Sequence, residues 1–242
     1  MKPTYHDALA AYGIGSAHPG GMQLTKHMLL HAGLSCGMRV LDAGCGTGNT
    51  SAYLASQYGC IVTAADSHPI MIEKAKKRFH DGQLDISAVQ CSLESMPFPD
   101  ESFDVIVSES VLAFTDQALS LPECHRVLKA GGKLLALEVT AETALHKREK
   151  QMIKTVYGMK DVNQEQQWLD LLYASGFSNA EVLYSNTVAG ELGSYSFHTS
   201  DPPEFDMPHS IAPELEEIMN KHHQVTAMLA EQMGFRLIMA VR

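Results

Sequence analysis

Short, near-continuous apolar runs alternate with helical patterns along the chain as far as Val139. The runs Arg39–Ala43, Ile61–Asp66, Ile86–Gln90, Asp104–Ser108 and Lys133–Val139 carry few polar positions, as strands buried on both faces require. Between them, apolar positions recur at helical spacing. One helix is expected from near Thr47 to just before Gly59. A second follows Ser67, a good N-cap, with Pro69 tolerated in its first turn. A third runs from Asp116 to Lys129 and stops at Gly131–Gly132. Strand and helix in this rhythm predict an α/β fold, with a mostly parallel sheet covered by helices on both faces.

Two regions stand outside the alternation. Residues 1–35 carry an HPGG turn, His18–Gly21, and then an amphipathic stretch, Met22–His31, and read as an N-terminal helical cap. Residues 36–242 read as a single domain. After Thr140, helices are expected to about Tyr157 and over Gln164–Ser175, where Gly176 supplies a stop. A strand, Ala180–Tyr184, follows. Ser185–Ala212 is rich in Gly, Ser and Pro and is expected to be irregular. A loop of about 28 residues is longer than compact domains usually carry and favours a lid or binding loop over filler. Pro213 opens a helix expected to end at Gly234, and Phe235–Val241 closes the chain as a strand. The lid-like insertion is therefore placed at about 185–233.

Composition narrows the function. The chain has 242 residues, with 18 Lys+Arg against 28 Asp+Glu, a net charge of −10. Nucleic acid is not expected as a partner, because phosphate neutralisation needs clustered positive charge. No apolar run is long enough for a membrane span. The start, MKPTYHDALA, lacks a basic segment followed by an apolar one, so no secretory leader is expected. Cys36, Cys45, Cys60, Cys91 and Cys124 are odd in number, spread out and without a CxxC pair. They read as reduced thiols in a cytoplasm, with no metal site. The oligomeric state is left open.

The informative segment is VLDAGCGTGNT, Val40–Thr50. A buried strand runs into a glycine-rich turn that opens a helix, whose free N–H groups suit a phosphate or a carboxylate. The dinucleotide fingerprint is G-x-G-x-x-G, whereas here Gly44, Gly46 and Gly48 run G-x-G-x-G and Asn49 takes the last glycine's place. Asp42, just before the turn, would repel a pyrophosphate and attract an ammonium. Asp66 ends the next strand, where an acid can hold both hydroxyls of a ribose. Together these suggest a nucleoside that carries an amino acid.

Over about Met38–Thr140 the sequence resembles the class I S-adenosylmethionine-dependent methyltransferases. VLDAGCGTG is similar to the family's first motif, and Asp66, with Ser67 beside it, to its ribose-binding acid. QCSLESMPF, PDESFDVIVSESVLAF and RVLKAGGKLLALE resemble the small-molecule subgroup that includes ubiquinone and menaquinone biosynthesis enzymes. The resemblance implies a Rossmann-like seven-stranded sheet whose last strand is antiparallel. It implies S-adenosyl-L-methionine as cofactor, S-adenosyl-L-homocysteine as product and a small-molecule acceptor. It places Asp42, Gly44, Cys45, Gly46 and Gly48 at the methionine part of the cofactor, and Ser92 and Leu93 at adenine. The family often has Asp at the Ser92 position; a Ser hydroxyl can still accept a hydrogen bond.

Glu109, just past the fourth strand, is the first candidate for touching the methionine end or the acceptor; Glu138, ending the fifth, is either a second or a solvated acid. Tyr5 and Tyr12 could shield the sulfonium by cation–π contact, and His18 could serve as a base. Their competing readings are helix packing and a residue before a turn. The His222–His223 pair reads as a solvated helix face. An NAD-dependent oxidoreductase, an RNA or protein methyltransferase and a non-catalytic S-adenosylmethionine-binding protein stay open as alternatives.

Overall fold

The computed structural model describes residues 2–194, 206 and 210–242. Two helices open the chain. The first, α1 (Tyr5–Tyr12), starts at a reciprocal cap: Thr4 Oγ1 accepts from Asp7 N at 3.2 Å and Asp7 Oδ2 accepts from Thr4 N at 2.7 Å. It ends at Gly13, and α2 (Gly21–Ala32) ends at Gly33; both glycines are left-handed, the conformation that closes a helix.

The alternation then proceeds as expected: β1 (Arg39–Ala43), α3 (Asn49–Tyr58), β2 (Ile61–Asp66), α4 (Pro69–Asp81), β3 (Ser87–Gln90) and β4 (Phe103–Glu109). A single 3-10 turn, Leu112–Phe114, precedes α5 (Gln117–Val127) and β5 (Leu128–Ala141). The chain continues through α6 (Lys147–Tyr157), α7 (Glu165–Ala174), β6 (Ser178–Thr187), α8 (Val188–Ser194), α9 (Pro213–Met228) and β7 (Met233–Val241). The strands form one sheet in the order β3-β2-β1-β4-β5-β7-β6. The first five run parallel, and β7 lies antiparallel between β5 and β6. This is the seven-stranded, Rossmann-like sheet with an antiparallel last strand.

Strand alternation divides the core. Val40, Val62, Val105, Val107, Leu135 and Leu137 pack with Met28 and Leu29 of α2 and Leu54 of α3. The intervening positions Leu41, Ala43, Ile106, Leu134 and Ala136 face Leu121 of α5 and Trp168 of α7. Trp168 is almost fully buried, and its ring N–H donates to Val139 O at 3.2 Å, which fastens α7 to the sheet.

The larger departures from the sequence reading lie at three places, besides shifts at other strand ends, such as β5 running through Gly131–Gly132. The helix expected to reach Lys129 stops at Val127, because Leu128 is extended and pairs with Phe103 of β4. Gly234 does not stop a helix. It lies inside β7 opposite Thr140, and α9 ends earlier, at Met228. Ser185–Ala212 is not irregular at its start: Ser185, Asn186 and Thr187 extend β6 against Arg236, Phe235 and Gly234, and α8 follows. Of the rest of that stretch, only Asp206 and 210–212 fall within the described residues. Asp206 N donates to Gly13 O at 3.3 Å, and its carboxylate meets Lys74 Nζ of α4 at 2.9 Å.

Among the described residues, no helix is long and apolar enough to cross a membrane. None of the five cysteines is paired.

Candidate active site

The carboxyl ends of β1, β2 and β4 open into a cavity of about 730 Å³, which α1, the 14–20 loop, the 3-10 turn and α9 enclose from the other side. Parallel strands with helical crossovers leave such a crevice, and side chains just past the strand ends fall into it.

The turn after β1 is held by its own backbone. Gly44 N and Cys45 N both donate to Ala65 O, at 2.7 and 2.9 Å. The three glycines serve different ends. A Cβ at Gly44 would sit 2.2 Å from Val111, and one at Gly48 would sit 2.6 Å from Phe79. Both stand at left-handed φ, +84° and +83°; Gly44 lines the cavity and Gly48 does not. Gly46, at φ +53°, lines it, and a Cβ there would meet no protein atom within 4 Å. Its backbone is the one laid bare to a ligand.

Asp66 is fixed from two sides: Gly46 N donates to Oδ2 at 3.0 Å and His68 N to Oδ1 at 2.8 Å. Each oxygen keeps acceptor capacity toward the cavity that Asp66 lines. Ser67, Ser92 and Leu93 line the same end, where Ser92 Oγ accepts from Glu94 N at 3.1 Å. Cys45 also lines the cavity, and burial raises its thiol well above the ordinary range, so it packs as an inert side chain.

Asp42 is buried, with Ser51 Oγ donating to Oδ2 at 2.5 Å. Burial lifts its carboxyl to about 7, with the negative charges of Glu109 and Asp66 adding to the rise. A cation placed beside it reverses that shift. Cofactor affinity is therefore expected to increase as pH rises toward about 7 and then level off, because a positive ligand selects the ionised Asp42. Calorimetry in two buffers of different ionisation heat should show proton release on binding near neutrality, and Asp42→Asn should abolish it.

Glu109 is the hub of the opposite wall. Thr25 Oγ1 of α2 donates to Oε1, and Thr50 Oγ1 of α3 donates to Oε2 at 2.6 Å. His18 Nε2 lies 3.2 Å from Oε1, while His18 Nδ1 lies 3.1 Å from Pro19 O. Both ring nitrogens of His18 thus face acceptors, and the ring fastens the 16–20 loop to β4.

Tyr5 and Tyr12 part company. Tyr5 lines the cavity, stacked on His222 at 4.7 Å and edge-on to Tyr157 at 5.6 Å. Tyr12 packs against the core and is not among the lining residues. His222 is not on a solvated face. Its Nε2 is 3.2 Å from the Tyr5 hydroxyl, and burial depresses the ring to about 4, so it is neutral. Phe114, Tyr157, Met159, Met219 and Met233 complete this aromatic and apolar wall.

Glu138 is neither a cavity residue nor a solvated acid. It is fully buried and accepts from Val111 N, Leu112 N and Ala113 N at 3.2, 2.9 and 3.3 Å. Burial raises it to about 7. It caps the 3-10 turn that carries Phe114 to the site. Among the described residues, no cluster of three or more His, Cys, Asp or Glu could hold a metal ion.

The donor set fits a nucleoside bearing a positively charged amino-acid tail: one fixed acid for the ribose, buried acids for the cation and an open glycine backbone between them. Comparison with known proteins agrees. A family model described as a methyltransferase domain matches residues 41–136. The uncharacterized methyltransferase YodH of Bacillus subtilis is 36% identical over 238 residues, 98% of this chain and 99% of that protein. The ubiquinone/menaquinone biosynthesis C-methyltransferase UbiE of Shewanella sp. strain W3-18-1 is 33% identical over 140 residues, 55% of this chain and 53% of that one. The fold is shared with phosphoethanolamine N-methyltransferase 2 of Haemonchus contortus, solved with phosphomonomethylethanolamine and S-adenosylhomocysteine. The TM-score is 0.74 at 18% identity, over 99% of this chain and 58% of that one. A cavity built on the glycine turn and Asp66, together with a full-length relative, makes this chain a member of the class I S-adenosylmethionine-dependent methyltransferases.

Proposed function

We propose that the protein methylates a small molecule bound against the aromatic wall, in the same cavity that takes the cofactor. The observation that carries this reading is the continuity of one 730 Å³ space from Asp66 to His222. That volume is in the range of roughly 300–1,000 Å³ typical of small-molecule sites. The cofactor supplies an already activated methyl group. The protein's share is orientation and exclusion of water, which can be worth on the order of 7–11 kcal/mol.

In this reading Asp66 holds the ribose, with Ser67 beside it, and Ser92 and Leu93 face the adenine. Gly44, Cys45 and Gly46 form the floor, and Asp42 neutralises the amino end. Glu109 orients the amino-acid tail, and His18 acts through Glu109 as a positioning residue. Tyr5 belongs to the acceptor side. Residues 1–35 form a cap and 36–242 the transferase domain. The insertion at about 185–233 supplies Val188, Glu191 and α9 to the wall, as a lid would. The unpaired thiols support a cytoplasmic setting.

Titration calorimetry tests the reading. Saturable binding of S-adenosylmethionine and S-adenosylhomocysteine is expected, and none of NAD. Binding of NAD alone would overturn it. Gly46→Val should abolish binding of both nucleosides, since the branched side chain would fill the open space above the turn and strain its backbone at φ +53°. Normal affinity in that variant would show that the turn is only structural.

A further inference from the structure

The charged lining of the cavity has one sign. Among the described residues, Asp42, Asp66, Glu94, Glu109 and Glu191 line it, and no Lys or Arg does. The sequence from Asp161 to Asn220 contains no Lys or Arg, so the connection from α8 to α9 brings none. Nearby cations are engaged with acids: Lys160 Nζ lies 3.2 Å from Glu94, and Arg236 binds Glu142 and Glu165 at 2.8 and 2.6 Å.

The imidazoles do not reverse the balance. His18 faces Glu109 and His68 faces Asp7, each at 3.2 Å. Burial lowers His6 and His222, which favours their neutral forms. The hydroxyls on the acceptor wall are also spoken for. Thr226 Oγ1 donates to His222 O at 2.9 Å, so the Tyr157 hydroxyl, 2.5 Å away, donates to Thr226. What remains on this wall is ring faces, thioethers and the exposed imidazole of His223. Ring faces carry the negative end of the aromatic quadrupole and repel anions.

We propose that the acceptor is an apolar molecule with no negative charge, either neutral or an ammonium, and that the site rejects carboxylate and phosphate acceptors. This rests on the reading that the cavity binds S-adenosylmethionine. An anion leaving water for this wall would find carboxylates and π-faces with no Lys or Arg among the described residues to compensate it. The Haemonchus contortus enzyme that shares the fold was solved with a phosphorylated ligand. On this proposal the present chain differs from it in acceptor charge.

The test uses three analogues in which a tertiary amine replaces the sulfonium. Each carries the adenosyl group, the amino-acid chain and an alkyl arm of equal length ended by methyl, ammonium or carboxylate. Competition against S-adenosylhomocysteine on the full-length protein gives their affinities. The methyl- and ammonium-ended analogues should bind at least as tightly as S-adenosylhomocysteine, and the carboxylate-ended one at least about ten-fold more weakly than the methyl-ended one. Glu191→Lys should recover at least about three-fold of that loss, which steric exclusion would not allow. Equal affinity of the methyl and carboxylate arms, or no recovery in Glu191→Lys, overturns the proposal. So does failure of all three arms while S-adenosylhomocysteine binds. If S-adenosylhomocysteine itself does not bind, the cofactor reading falls, and this proposal with it.

Discussion

Replacing Asp66 by Ala is expected to weaken cofactor binding about ten- to one-hundred-fold. The carboxylate is oriented before any ligand arrives, because Gly46 N–H and His68 N–H each hold one oxygen. On the proposed reading two ribose hydroxyls meet these fixed acceptors, and little ordering remains to be done on binding. Hydrogen bonds to a charged partner are worth roughly 1.5–3 kcal/mol net, which sets the range. Asp66→Asn keeps one acceptor oxygen and should fall between the two. Calorimetry with S-adenosylhomocysteine measures both variants, and unchanged affinity in the Ala variant would remove Asp66 from the site. The loss should be confined to the cofactor. Melting of the apoprotein should change little by comparison, since Asp66 closes no core.

Glu138→Ala is expected to do the opposite. It should lower stability by roughly 3 kcal/mol, the scale of stranding buried N–H groups that had shared one acceptor. For a chain of this size that is a fall in melting temperature of about 6–12 °C. Val111, Leu112 and Ala113 would lose their shared cap, and Phe114 would lose its anchored position. Glu138→Gln is the discriminating variant. Its amide can accept from Leu112 but turns a donor toward Ala113 N. The pH dependence has a definite sign. The folded protein keeps the Glu138 proton up to about 7, whereas an unfolded chain loses it near 4.5. Its contribution is fullest below 4.5 and is lost as pH rises through 7. Denaturant titrations across that window should show a flatter stability profile for Glu138→Gln than for the parent. A profile unchanged by the substitution would place the titration elsewhere.

The cofactor end of the molecule was legible in the sequence because its geometry is local. Strand, turn and helix N-terminus are consecutive, and Asp66 ends the neighbouring strand. One feature there serves two functions. Gly48 stands at φ +83° against Phe79, outside the cavity lining, and in the sequence this is indistinguishable from a glycine that admits a ligand. Tyr5 and Tyr12 lie on nearly the same face of α1, but about two helical turns, roughly 10 Å, separate them along the axis. Only the first reaches the cavity.

The aromatic wall was hidden for a different reason. His222 meets Tyr5 across 217 positions of sequence, and Glu138 caps N–H groups 25–27 positions upstream. Neither partner is signalled near the residue itself. The spacing of Met219, His222 and Thr226 could have flagged one face of α9, although nothing local says what that face meets. The same holds for Ser185–Thr187, whose polar composition reads as loop until β7 supplies a ladder for it.

Three of the side chains on the aromatic wall, Met159, Met219 and Met233, are thioethers on unbranched arms. Such arms move among rotamers at little cost and refit their outline to whatever fills the space. A wall of this kind gives shape a weak vote in choosing a substrate. It also makes the enzyme malleable. Exchange among Met, Leu and Ile at these positions should redistribute preference among acceptors of different bulk while the nucleoside end is left as it is. Breadth of acceptor range is thus the expected property of the side of the cavity that the glycine turn does not touch.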